Sequence, residues 1–118
     1  MRTEQPRENE SEALPIDSAE RKKYPIYSGF LAYFPHAIAS VANLSYEANE
    51  QHHPGEGLHW DMGKSSDSKD CLARHTIDEI LSKTKEDRVE EARRMAWRAM
   101  ENLQRLLTGN CQYNKETK

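Results

Sequence analysis

Between Val89 and Leu107 the apolar residues Val89, Ala92, Ala96, Met100, Leu103 and Leu107 recur at intervals of three and four, Trp97 flanks them, and Gly109-Asn110 closes the run. At 3.6 residues per turn this spacing puts all six on one stripe of a helix, and a glycine just past the last periodic residue is a common helix stop. The pattern predicts a helix over 87–108. Its stripe is read as core or as a dimer seam in preference to a cofactor box. The opposite face, with Glu90, Glu91, Arg94, Arg98 and Glu101, is expected to be mostly solvated charge, with Glu91 able to reach inward in an oligomer. Two short partners cannot cover a stripe of that length, so a homo-oligomer, a dimer or higher, is expected.

Two further helices follow from the same arithmetic. Pro35 suits a first helical turn, where its missing N–H is not needed, and the helix is expected over 35–51. Ile38, Val41, Ala42 and Ser45 share a stripe that extends to Asn49 and His52, whereas Glu47 and Glu50 fall on the opposite side, toward water or a partner. The second helix is expected over 68–82, burying Leu72, Ala73, Thr76, Ile77 and Ile80, with Ser66 or Asp67 as its N-cap. The expected fold is therefore all-α: a small helical bundle with a long functional loop between its first two helices, completed by oligomerisation.

At 118 residues the chain is one domain's length. The polar stretch 1–21 reads as a disordered tail, 22–109 as a single domain and 110–118 as a second polar tail. Within 22–27, Tyr24, Ile26 and Tyr27 are expected to pin an extended segment, with Pro25 excluding helix and Gly29 breaking the chain. Hydrophobic residues make up 36%, charged residues 31%, and mean hydropathy is -1.01, so the core must be small. A net charge of -3 without a lysine or arginine block argues against a nucleic-acid partner. Cys71 and Cys111 lack metal spacing, and no apolar run has the length of a membrane span or signal peptide. The reading is a soluble protein of a reducing cytoplasm with no membrane partner.

The reactive side chains crowd elsewhere. Four of the five histidines lie between Asn49 and His75, with Trp60 and several carboxylates, in a segment too polar to be core. A plain connector has no need of such a set. Asn49 and His52 either satisfy loop backbone groups or line a pocket to which His59, Trp60 and Lys64 return. Pro54-Gly55 and Gly57 permit a sharp reversal. Lys64-Ser65-Ser66 before a helix suits an anion, though it is not a Walker sequence. Asp67 and Asp70 are candidate metal ligands and Arg74 a candidate phosphate clamp, with an i,i+4 salt bridge between Asp70 and Arg74 as the plainer alternative. His75 lies off the main stripe, toward the loop, a partner helix or solvent.

The order Tyr24-Pro25, Tyr33-Phe34-Pro35, Asn49-Glu50-Gln51-His52, Pro54-Gly55, Leu58-His59-Trp60-Asp61, Lys64-Ser65, Asp67, Asp70, Arg74-His75 and Ala96-Trp97-Arg98-Ala99 resembles a family of small phage and prophage proteins. That family is classed with the N-terminal domain of phage dATP/dGTP diphosphohydrolases, and the likeness spans roughly residues 22 to 107. It implies an α-helical protein that handles purine deoxynucleotides and cleaves triphosphate to monophosphate and pyrophosphate with Mg²⁺ or Mn²⁺. Related pyrophosphohydrolases of the MazG type hold metal with Glu-x-x-Glu on one helix and Glu-x-x-Asp on the next. The corresponding residues here are Glu47 and Glu50, then Asp67 and Asp70, with Asp where the first Glu of the second pair belongs. Glu91 stands where relatives often carry His.

On this reading Lys64, Ser65, Arg74 and a divalent ion on Asp67 and Asp70 bind the phosphates, His52 or His59 orients a water, and Trp60 or a tyrosine stacks the base. Asn49, Gln51 and His75 complete the ligand contacts. The rival expectation is a non-catalytic sponge that sequesters a nucleotide signal and so counters host antiphage defence. It uses the same His, Lys, Arg and Trp and needs no metal.

Overall fold

The computed structural model describes residues 13–60 and 67–109, and every regular element among them is helical. The chain divides between Pro35 and His36 into two compact units.

In the first unit, Asp17 caps a single turn, α1 (Ser18–Arg21), by accepting a hydrogen bond from the Glu20 backbone N–H at 3.1 Å. This turn lies inside the stretch expected to be a tail. The segment after Pro25 is also helical and not extended: Tyr27–Leu31 form a π-helical turn in which the Ala32 N–H reaches the Tyr27 carbonyl at 2.8 Å. Pro25 permits this because proline fits a first helical turn. Gly29 does not break the chain. It sits inside the turn, where an added Cβ would meet Pro25 Cγ at 2.9 Å, so the tight approach requires glycine. Phe30 stands edge-on to Phe34, with ring centroids 5.6 Å apart.

The second helix, α2, spans Pro35–His52, α3 spans Ser68–Leu81 and α4 spans Lys85–Thr108. α4 is bounded as its sequence dictates. Thr84 Oγ1 accepts from the Asp87 N–H at 3.0 Å, Glu86 and Asp87 occupy the first turn, and Gly109 closes the end with φ 79°. Asp67 holds the N-cap position of α3, but only its carbonyl caps, taking the Cys71 N–H at 2.9 Å.

α3 and α4 pack together, with Arg88 Nε donating to Glu79 at 3.1 Å and the His75 and Glu91 side chains meeting at 2.7 Å. Since 79 meets 88 and 75 meets 91, the pair is antiparallel. The face of α4 turned into the protein is the charged one. Glu101 and Arg105 are the buried residues of α4, joined at 3.1 Å, and Arg98 adds a bond to Glu101 at 3.0 Å. Burying charges this way is tolerated only because each is paired.

That arrangement rules out the core reading of the α4 stripe and leaves the dimer-seam reading open. Val89, Ala92, Ala96, Met100, Leu103 and Leu107 are all exposed, whereas Glu90, Glu91 and Arg98 are half-buried. On α3, Leu72 and Thr76 are half-buried as expected, but Ala73, Ile77 and Ile80 face out. No apolar side chain among the described residues is fully buried. The polar pairs that join α3 and α4 are Arg88–Glu79 and His75–Glu91, and the apolar stripe of α4 is left exposed.

Candidate functional site

α2 delivers its last turn to the loop as its periodicity requires. Ile38, Val41 and Ser45 are half-buried and Asn49 is buried at 6% exposure, although Ala42 is exposed. His52, expected on this face, is exposed, and His53 takes its place. A step of four residues departs from the stripe by about 40° and a step of three by about 60°, so Ser45, Asn49 and His53 form the better continuation.

The turn beyond is tied back to the helix. The His53 N–H reaches the Asn49 carbonyl at 2.7 Å, the Glu56 N–H reaches the His53 carbonyl at 3.1 Å, and Gly55 adopts φ 80°. Asn49 Nδ2 donates to the Glu56 carbonyl at 3.1 Å, while its buried Oδ1 has no hydrogen-bond partner among the described residues. Asn49 thus fills the plainer role foreseen for it, satisfying a loop carbonyl, and still keeps one acceptor in reserve.

Across this turn the His53 and His59 rings lie 4.2 Å apart, and His59 Nδ1 is 3.2 Å from the Gly57 carbonyl. Trp60 then meets Trp97 of α4 edge to face at 6.0 Å, which anchors the far end of the loop stem. Trp60 remains 40% exposed and His59 is exposed. Lys64 and Ser65, the expected phosphate contacts, lie outside the described residues, as does Asp61.

Two of the four carboxylates singled out in the sequence, Glu47 and Asp67, are paired with arginines. Glu47 is exposed, as expected, and pairs with Arg93 of α4. Arg74 bonds Asp67 at 3.2 Å, not Asp70, and also reaches Cys71 Sγ at 3.2 Å. The hydrogen bond to Asp67, with the neighbouring Cys71, raises the Arg74 pKa above its already high ordinary value, so it is a permanent cation. Glu50, Gln51 and Asp70 are exposed. Among the described residues neither Glu47 and Glu50 nor Asp67 and Asp70 converge with a third donor. His75 faces the partner helix, bonded to Glu91, with Asp78 nearby.

Glu56 and His53 are the site residues that the helical periodicity missed. The signal for them was present as a separate spacing, His53-x-x-Glu56-x-x-His59, whose three donor atoms lie within 4.8 Å of one another.

Comparison with protein-family models, curated proteins and solved structures returns no match, so the site itself has to carry any functional reading. No helix among the described residues is long and apolar enough to cross a membrane.

Proposed function

We propose that this chain is a phage-type purine (deoxy)nucleotide-binding protein that works as a homo-oligomer, with the loop after α2 as its binding element. The observation that carries the reading is the built stem of that loop. A buried amide holds the turn and keeps a spare acceptor, and exposed imidazole and indole rings follow within a few residues. Such groups suit a nucleobase, which offers an N–H donor and a stacking face. Arg74 supplies a cation for phosphate. Its partner Asp67 is half-exposed, so the pair between them is weak and a phosphate displaces the carboxylate at little cost.

Binding without turnover is favoured over hydrolysis because, among the described residues, neither Glu47 and Glu50 nor Asp67 and Asp70 come together with a third metal donor. Cleavage to monophosphate and pyrophosphate with Mg²⁺ or Mn²⁺ is the second reading, favoured by the exposed Asp70 beside Arg74 and Asp67. Incubating the protein with dATP and dGTP, with and without Mn²⁺, and separating bound nucleotide from products by chromatography tests both. Intact bound nucleotide supports the binder; monophosphate with pyrophosphate supports the hydrolase. Neither bound nucleotide nor product overturns the proposal.

A further inference from the structure

We infer that His53, Glu56 and His59 form a site for a borderline transition-metal ion of the Zn²⁺ class. The three donor atoms lie within 4.8 Å of one another, and His53 Nδ1 stands 3.8 Å from Glu56 Oε1. That separation is too long for a hydrogen bond. Donors about 2.0–2.1 Å from one tetrahedral ion sit about 3.3 Å from each other, so a slight closure brings both onto a shared cation.

The surroundings preorganise the set. His59 Nδ1 donates to the Gly57 carbonyl at 3.2 Å, which fixes the tautomer and leaves Nε2 as the free lone pair. Asn49, buried at the end of α2, donates to the Glu56 carbonyl and so holds the backbone that carries the carboxylate. Gly55, at φ 80°, makes the reversal that brings His59 back over His53.

The His75, Asp78 and Glu91 group is different. There His75 already shares a 2.7 Å bond with Glu91, and that pair accounts for the geometry without an ion. Two imidazoles and one carboxylate select Zn²⁺, Co²⁺ or Ni²⁺ over Mg²⁺, which prefers oxygen. Three protein ligands leave a position for water or an anionic oxygen. Filling that position with a nucleotide phosphate rests on the function proposed above, whereas binding of the ion does not.

The test therefore uses metal alone. The full chain is titrated with Co²⁺ without nucleotide, and the visible d–d absorption is followed. One Co²⁺ per chain with a low-symmetry spectrum, displaced by Zn²⁺ and not by Mg²⁺, is expected. His59→Ala and Glu56→Gln should each weaken binding more than about tenfold, since even partners outside the ligand set are worth about 10- to 100-fold. His36→Ala, at an exposed histidine outside the group, should leave it unchanged. Both altered side chains are exposed, and an unchanged helical circular-dichroism signal verifies that the variants fold. Absence of the Co²⁺ spectrum, or its retention in both variants, overturns the site whatever the nucleotide assay gives.

Discussion

Arg93 of α4 grips Glu47 of α2, and the same guanidinium donates to the Ser40 carbonyl at 3.2 Å and the Asn43 side-chain oxygen at 3.3 Å. One half-buried side chain thus follows a single face of α2 for two turns. It also pairs with Glu90 on its own helix at 3.0 Å. Burial by itself lowers the Arg93 pKa, but Glu47 and Glu90 outweigh that and raise it.

The two partners are unequally exposed, with 12% of the Arg93 side chain accessible against 53% of Glu47. Arg93→Ala leaves several acceptors without a donor and is expected to cost about 1–3 kcal/mol, whereas Glu47→Gln should cost under about 1 kcal/mol. Arg93→Lys should recover only part of the loss, because an ammonium cannot span the same acceptors. Urea unfolding at fixed protein concentration measures all three. Equal losses for Arg93→Ala and Glu47→Gln would show that the guanidinium does not organise this contact.

Glu90 gives the acid response. Burial pushes its carboxyl up, but hydrogen bonds and charge from Arg94 and Arg93 prevail and hold it below its ordinary value of 4.5. A carboxylate depressed on folding contributes stability that is fully present above 4.5 and is lost as pH falls through the lower folded value. Glu90→Gln should therefore flatten the acid limb of stability below pH 4.5 and leave the neutral-to-alkaline dependence unaltered. Thermal melts across pH 3–8 measure this; an acid limb as steep as the parent's would count against the ion pairs.

Element positions were legible in the sequence because caps and breakers act locally. Pro35 and Gly109 bound α2 and α4 through their own backbone chemistry, whereas α4 starts at Lys85, two residues before the expected 87, because the Thr84 hydroxyl caps it. Facing was not legible for α4, where an apolar stripe ordinarily marks the core. Here α3 presents His75 and Glu79, so the charged face of α4 is the one that finds complements. Asn49 was placed correctly because it continues an unbroken stripe. His53 was missed because the three-residue step to His52 was followed instead of the four-residue one. The fate of Glu47 and Asp67 was equally hidden, since each is settled by an arginine remote in sequence or on another turn.

The exposed stripe yields a sharp test of self-association. α4 is 24 residues, about 36 Å long, and its outward Leu103 is 50% exposed in the single chain. On a monomer, Leu103→Glu is a surface change worth within about 0.5 kcal/mol. In an assembly that buries the stripe, it places an unpaired carboxylate against apolar side chains and costs several times that. The parent is expected to be a dimer or larger by light scattering at micromolar concentration, and Leu103→Glu to be smaller and less stable. A monomeric parent, or a variant indistinguishable from it, would remove the oligomer from the proposal.

Asp67 and Arg74 separate the two readings of nucleotide handling by the sign of one effect. If Arg74 clamps phosphate, Asp67 competes for it across 3.2 Å. Asp67→Asn then relieves the competition. An exposed pair is weak, so dATP or dGTP affinity should rise only modestly, by up to about fivefold. Arg74→Ala should weaken binding about tenfold or more, since a charged hydrogen bond contributes about 1.5–3 kcal/mol. If Asp67 instead holds a catalytic Mg²⁺ or Mn²⁺, Asp67→Asn removes a ligand and both metal-dependent binding and turnover fall. Calorimetric titration of the two variants, with and without Mn²⁺, reads the sign directly. Tighter binding in Asp67→Asn favours a sponge-like binder, weaker binding with lost turnover favours the hydrolase, and no change in either variant takes Arg74 out of the site.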